Sequence, residues 1–357
     1  MKILYLYRYG ILGGVCTQLF HRFRHLSSSD NLEIHCGFRS DHGVKKMLGD
    51  YATLHFGLNK ETTIQFLQDN QFDLIVIIDT EEYIEAVHEV KPECKVIVEV
   101  HTSIERNLEY LSRINSEDID GFITVSQYMV GRIKHHISDD LQNKPISIFT
   151  NVLDSDLFSN NDVKAEGPPV IGWVGKIDDH KDWRAFMNIS QQISIQNKDA
   201  EFWIVGGQTC PEALVQEVFD YAEEKAIISR FRWIDRIENV KMSSLYSLIA
   251  KRGGLSLVTS HCESFGMSVL ESLLSGCPVV STKVGALPEI THEAEYFQLY
   301  ELGDYQTGAG KSLKVIEESS VINDKLQLER DNLVQLYDSS LRSIDYWNML
   351  QEMVNNE

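Results

Sequence analysis

Two glutamates frame a short turn in the stretch "HCESFGMSVLE" (261–271): Glu263 on one side of Phe265-Gly266 and Glu271 on the other. The stretch follows an apolar strand at 255–258 and runs into a helical pattern, in which Val269, Leu270, Leu273, Leu274 and Cys277 share one apolar stripe. Glu271 is expected off that stripe, on a polar face with Ser268 and Ser275. Carboxylates at a cleft are costly unless something binds them. Gly266 lets backbone approach a ligand closely, and the first-turn N–H groups at 266–268 can hold an anion with the help of the helix dipole. A carboxylate accepts two hydrogen bonds at once, which suits the vicinal hydroxyls of a ribose or a hexose. A phosphate at the helix start, flanked by two diol-binding carboxylates, is the arrangement a nucleotide-sugar needs. The competing account is plainer: Glu263 compensates the positive helix end, and Glu271 is solvated.

Elements that would hold such a turn alternate along the chain. Strand-like runs "KILYLY" (2–7), "LEIHCGF" (32–38), "DLIVII" (73–78), "KVIVEV" (95–100) and "GFITVS" (121–126) are separated by helical stretches. Continuous Val/Ile-rich strands between helices indicate a parallel sheet covered on both faces. After the polar Gly/Pro stretch "FSNNDVKAEGPP" (158–169) the alternation restarts with "VIGWVG", "EFWIVGG", "FRWID", "LSLVTS" and "PVVST". Two doubly wound α/β domains in tandem are expected, with ligand at the carboxyl ends of their strands, in a cleft between them.

A length of 357 residues suits two such domains, and 43% hydrophobic with 24% charged residues is an ordinary globular balance. The apolar runs are strand-length, far below the ~20 residues that span a bilayer. "MKILYLYRYG" carries no cleavage site behind an apolar core, so a cytoplasmic location is expected. Six cysteines stand apart with no zinc spacing, and the formal charge of −20 argues against nucleic acid as a partner. Residues 1–50 go against the acidic trend, with seven Lys/Arg against four Asp/Glu. "HRFRH" (21–25), interleaved with Leu19, Phe20, Phe23 and Leu26, fits a core-facing stripe with a solvated basic face. The alternative is weak contact of 18–26 and Lys45-Lys46 with an anionic membrane surface, peripheral at its inner face.

The whole of "ESFGMSVLESLLSGCPVVSTKVGALPEI" (263–290) strongly resembles the signature of retaining GT-B glycosyltransferases of family four, the glycosyl transferases group 1: E, seven residues, E, then G-x-P-V-V and G-x-x-P-E. The resemblance implies that Glu271 grips the ribose and Glu263 the hydroxyls of the donor sugar. It also implies donor contacts at Ser264, Phe265, Gly266, Met267 and Ser268. "VIGWVGKIDDHKDW" (170–183) resembles the family's strand followed by two spaced cations, here Lys176 and Lys181. "LYRYGILGGV" resembles its glycine turn at Gly13 and Gly14, and "IVEVHTSI" its histidine near the transferred sugar, His101. Ser126 and Asn151 match further donor-side positions, and Ile237 falls in the loop expected to face the base. Asp235 stands where the family usually has glycine, which leaves uridine or guanosine open.

The expectation is a GT-B fold of two Rossmann-like, doubly wound domains facing across a cleft: 1–160, joined by the C-terminal helix 338–357, and 161–337. The implied activity is retaining transfer of a hexose from a UDP- or GDP-sugar to an unidentified acceptor hydroxyl. Lys176, Lys181, Glu263 and His101 would carry the chemistry, with no metal and no cofactor. No carboxylate in these motifs stands as an obvious nucleophile, so front-face substitution fits better than double displacement. The rivals are an epimerase of the same fold and a non-catalytic subunit that binds sugar nucleotides.

Overall fold

The structure, a computed structural model, describes residues 1–26, 32–207 and 210–355. The chain forms two compact units, Met1–Asp154 together with Tyr337–Glu357, and Ser155–Leu336.

In the first unit the strands are β1 (Lys2–Tyr7), β2 (Tyr9–Ile11), β3 (Glu33–Phe38), β4 (Ser40–His42), β5 (Thr53–Phe56), β6 (Leu74–Ile78), β7 (Lys95–Val100), β8 (Gly121–Thr124) and β9 (Ile146–Ile148). Seven of them form one parallel sheet in the order β5-β3-β1-β6-β7-β8-β9, and β2 pairs with β4 apart from it. The order reverses between β1 and β6, whose register pairs Ile3 with Leu74 and Tyr7 with Ile78. Every residue of β6 is buried, as a central strand covered on both faces requires. Helices α1 (Gly14–Leu26), α2 (Val44–Leu48), α3 (Lys60–Asp69), α4 (Glu81–Val90) and α5 (Gln127–His136) connect these strands.

The second unit repeats the plan with β10 (Val170–Val174), β11 (Glu201–Val205), β12 (Phe231–Ile234), β13 (Leu255–Val258), β14 (Val279–Thr282) and β15 (Phe297–Tyr300), in the parallel order β12-β11-β10-β13-β14-β15. Here the reversal falls between β10 and β13. Helices α6 (Trp183–Gln196), α7 (Glu212–Glu224), α8 (Asn239–Lys251), α9 (Met267–Leu274) and α10 (Tyr305–Glu317) follow, then α11 (Ser319–Tyr337) and α12 (Ser339–Asn355) with no strand between them. The polar stretch at 158–169 is pinned along α8. Ser159 N donates to Ser243 Oγ at 3.1 Å, and Asn161 N donates to Ser247 Oγ at 2.9 Å.

The last helix belongs to the first unit. Leu153 N donates to Tyr337 O at 2.9 Å and Ser339 N to Leu153 O at 2.8 Å, a short parallel bridge that delivers α12 onto α1. Tyr346 and Leu350 of α12 enter the core beside Phe23, Phe149 and Tyr5. That packing also bears on the stretch at 18–26. Leu19, Phe23 and Leu26 face the core as expected, but the basic face is not solvated throughout, because His21 and Arg22 are buried too. Lys45 and Lys46 are exposed on α2. Among the described residues no helix is long and apolar enough to cross a membrane.

Candidate active site

Reversal points in doubly wound sheets leave a crevice between the two diverging connections, at the carboxyl ends of the strands. In the second unit that crevice lies where β10 and β13 end, and both motif segments leave from there. The β10 segment runs from Gly175 to Asp182. Lys181 N donates to Asp178 Oδ1 at 2.9 Å, and Asp182, in the left-handed region at φ 51°, caps α6 by accepting from Ala185 N at 2.9 Å. The β13 segment is fastened to it. Thr259 Oγ1 lies 2.9 Å from Lys181 O and 2.8 Å from Asp182 O, and accepts from Trp173 Nε1 at 2.9 Å. His261 N donates to His180 O at 2.9 Å, and His261 Nε2 lies 2.8 Å from Asp182 Oδ2.

This fastening brings Lys181 Nζ to 2.5 Å from Glu263 Oε1, to which Ser260 Oγ also donates at 2.6 Å. Glu263 is almost wholly buried. Burial opposes its charge, but the Lys181 ammonium and the two hydrogen bonds hold the carboxyl below its usual range. The strand–helix turn is backed from behind. Gly285 sits at φ 56°, where a Cβ would lie 2.2 Å from Glu263 O, and Ala286 N donates to that oxygen at 2.9 Å. Gly266, the N-cap of α9 at φ 108°, is likewise fixed: a Cβ would lie 2.4 Å from Leu287. The "G-x-x-P-E" segment is therefore the buttress of the Glu263 turn.

Glu271 departs from the open polar face expected for it, and from the solvated position of the competing account. It is 9% exposed, and the face it shares with the fully buried Ser275 is covered as well as the apolar one, because α8 packs against α9. Its near partner is Tyr246, whose hydroxyl donates to Oε2 at 3.4 Å. Burial pushes the Glu271 carboxyl up to about 7, partly offset by the Tyr246 hydrogen bond and the Lys181 charge. The helix also starts at Met267 rather than near Phe265. Ser264, Met267 and Ser268 are half-buried around this turn, and Phe265 and Gly266 are buried. Lys176 lies on the same β10 segment, exposed and without an ion pair among the described residues. Ile237 is half-buried on the loop after β12, two strands away from β10.

In the first unit, Gly13 and Gly14 close the turn after β2 and open α1, with Gly13 O accepting from Thr17 N at 2.9 Å. A Cβ on Gly13 would meet only Ile11 at 3.6 Å or more, and one on Gly14 nothing within 4 Å, so packing among the described residues does not demand glycine there. His101 stands just past β7. Its backbone N donates to Asp79, at 3.1 Å from Oδ2, and its Nε2 lies 2.7 Å from Glu99 Oε1. Burial pushes Asp79 up to about 6. Ser126 is buried and caps α5, accepting from Met129 N at 3.2 Å. Asn151 is buried, and its Oδ1 has no hydrogen-bond partner among the described residues.

Sequence reasoning missed Thr259, Tyr246 and the two histidines at 180 and 261, whose partners are remote in the chain, and also Ser260, whose partner Glu263 is only three residues away. It also passed over Glu99, although a charged residue inside the strand "VIVEV" is itself a signal. Among the described residues, the His/Cys/Asp/Glu group close enough to share a metal ion is His88, Glu117 and Asp118, none of which lies on these segments.

Comparison with known proteins follows the same division. Residues 168–318, which contain both segments of the second unit's crevice, match the family model "Glycosyl transferases group 1". The 2-deoxystreptamine N-acetyl-D-glucosaminyltransferase of Niallia circulans is 26% identical over 155 residues, 43% of this chain and 38% of that protein. The D-inositol 3-phosphate glycosyltransferase of Corynebacterium glutamicum is 26% identical over 176 residues, 46% of this chain and 41% of that protein. The chain thus spans about two fifths of the length of these curated relatives. Solved structures match throughout. Anabaena HepE in complex with UDP and glucose superposes with a TM-score of 0.82 at 16% identity, over 99% of this chain and 100% of that one. The sucrose-phosphate synthase of Thermosynechococcus elongatus gives 0.80 at 13% identity over 100% of both chains. The chain has the GT-B fold, built of two Rossmann-like α/β units.

Proposed function

We propose that this protein is a retaining glycosyltransferase that moves a hexose from a nucleoside-diphosphate-sugar to an acceptor hydroxyl in the cytoplasm, without a metal. The observation that carries the reading is the cluster at the ends of β10 and β13: one lysine and two nearly buried carboxylates beside the start of α9. Lys181 is the counter-ion of Glu263. A diphosphate entering beside α9 is a better partner for that ammonium, and Lys176 is available as a second cation. Glu263 is then released to accept from the sugar hydroxyls, and Glu271, held only by the long bond from Tyr246, accepts from the ribose hydroxyls. The complexes of HepE with UDP and with UDP-glucose make uridine sugars the first donors to try.

In the proposed step the bond from the anomeric carbon to the diphosphate oxygen breaks. The acceptor oxygen bonds to that carbon on the same face, and the acceptor proton passes to the departing phosphate oxygen. Lys176, Lys181 and the α9 N–H groups take up the developing charge, preorganised so that no reorganisation is needed during reaction. Gly13, Gly14 and His101 serve the acceptor and sugar side, and Ser264, Phe265, Met267 and Ser268 the donor. Ser126 and Asn151 join the donor side, with Ile237 against the base.

The test is nucleotide release from UDP-, GDP- and ADP-sugars with and without a panel of hydroxyl acceptors. Acceptor-dependent release that survives EDTA is expected. Sugar interconversion without acceptor would identify an epimerase, and tight nucleotide binding without release a non-catalytic subunit. Loss of activity with EDTA, restored by a divalent metal, would overturn charge stabilisation by lysines.

A further inference from the structure

Behind His101 lies a buried ionic assembly that the proposed reaction does not use directly. Arg22 of α1 and Glu99 of β7 are both fully buried, with Nη1 2.5 Å from Oε1. The same Oε1 lies 2.7 Å from His101 Nε2. Arg22 Nη1 also reaches the Tyr346 hydroxyl at 3.4 Å, and that hydroxyl meets Tyr5 OH at 2.9 Å. The guanidinium lies over the rings of Tyr346 and Phe149, 4.8 and 5.2 Å from their centroids. Its Nε and Nη2, and Glu99 Oε2, have no hydrogen-bond partner among the described residues.

An arginine so placed costs much desolvation, and replacing such a pair by apolar residues is often neutral or stabilising. Two things suggest that it serves the histidine. Glu99 gives its one bonded oxygen to both Arg22 and His101, so the cation and the imidazole are read by the same atom. And His101 is held at a second point by Asp79, which accepts from the backbone N–H groups of His101 and Thr102, so only the ring is left to be oriented.

We infer that Glu99, with its charge fixed by Arg22, is a positioning residue that holds His101 as the Nε2–H tautomer and presents Nδ1 as a hydrogen-bond acceptor towards a ligand hydroxyl. The functional half of this rests on the reading that His101 faces the transferred sugar. The chemistry is one-directional. Burial works against ionisation of Glu99, yet the Arg22 charge and the hydrogen bonds from His101 and Arg22 hold its carboxyl down at about 2, so it is an acceptor only and, on a neutral imidazole, the proton must sit on Nε2. A histidine in this state cannot donate from Nδ1 while neutral. It selects a donor group, such as a sugar hydroxyl, over an acceptor such as a phosphate oxygen.

The experiment is long-range 1H–15N correlation on the full chain with 15N-labelled histidine, His101 being assigned by difference from His101→Gln. At pH 8 the wild type should show one fixed tautomer with the proton on Nε2; an Nδ1–H or averaged pattern overturns the inference, and this reading needs no activity. Glu99→Leu alone strands a buried arginine and risks unfolding, so the variant is Arg22→Met with Glu99→Leu, neutral at both positions. It should fold by circular dichroism, average the His101 tautomers, and lower kcat roughly 10–100-fold with donor KM within about twofold, the range for losing the orienting partner of a functional histidine. An unchanged tautomer in that variant would likewise sink the positioning role. Unchanged turnover in His101→Gln would remove the sugar-facing reading instead, leaving the tautomer result standing.

Discussion

Glu271→Gln is the sharpest perturbation available, because the carboxyl is nearly buried, carries one long hydrogen bond, and is pushed from 4.5 to about 7 by burial. A carboxyl whose pKa is raised in the folded state binds its proton more tightly there than in the unfolded chain. Its contribution is fully present below pH 4.5 and is lost as pH rises to about 7, with stability falling across that window. A displacement of this size is worth about 3 kcal/mol at 1.36 kcal/mol per pH unit, of which about 2.5 kcal/mol falls between pH 5 and pH 8. Glutamine has the same shape and no charge to lose. Urea unfolding followed by tryptophan fluorescence reads the relevant unit, since Trp173, Trp183, Trp203 and Trp233 lie within it and only Trp347 lies outside. The stability of Glu271→Gln relative to wild type should therefore rise by about 2.5 kcal/mol from pH 5 to pH 8. Asp79 and the other titrating groups are common to both proteins and cancel. A change below about 1 kcal/mol would show that water or a flexible turn already solvates the carboxylate, and the argument from burial would fail. UDP at pH 6.5 should also release protons on binding, seen as buffer-dependent calorimetric heats, because ribose hydroxyls favour the ionised form. Proton uptake would contradict the ribose assignment.

Three further outcomes can be checked independently. Lys181→Met should lower kcat by about 10²–10³, the loss expected when one preorganised charge is removed, while donor binding weakens less; equal losses in turnover and stability would make the lysine merely structural. Gly285→Ala places a methyl 2.2 Å from Glu263 O at a left-handed φ. It should destabilise the unit by about 1–3 kcal/mol, read as a lower urea midpoint. Arg22→Met alone, which leaves Glu99 buried without its cation, should cost roughly 3–5 kcal/mol in urea unfolding, more than the double variant Arg22→Met/Glu99→Leu. A single variant as stable as the double would mean that Glu99 is not ionised.

Local pattern was enough for the architecture. Central strands such as β6 read directly from "LIVII", and the restart at "VIGWVG" marks the second sheet. The edge strands β5 and β9 were not anticipated, nor was β15. β5 and β9 are short and half-exposed, so they lack the continuous apolar run that marks a covered strand. In the site, the turn between Glu263 and Glu271 was legible because glycine and helix-start chemistry are local. The environment of Glu271 was not. A helical wheel groups it with Ser268 and Ser275 as a polar face, but the wheel does not show that α8 packs over that side of α9 and buries Glu271 and Ser275. The ion pairs lie beyond any window: Lys181 and Glu263 are 82 residues apart, and Arg22 and Glu99 are 77. "HRFRH" reads as a surface stretch only because its counter-ion lies on another element.

The return of α12 to α1 has a consequence for how the chain is made. Ribosomal synthesis delivers the first 154 residues early, but the groove beside α1 that receives Tyr346 and Leu350 stays open until the whole of Ser155–Leu336 has emerged. At about 5–20 residues per second that interval is roughly 10–40 s. During it Arg22 has Glu99 but not the Tyr346 ring, and the leading unit is a nascent body with an apolar seam in contact with water. A holding chaperone would find its binding surface there, and a chain cut short before α12 would keep that seam for its lifetime.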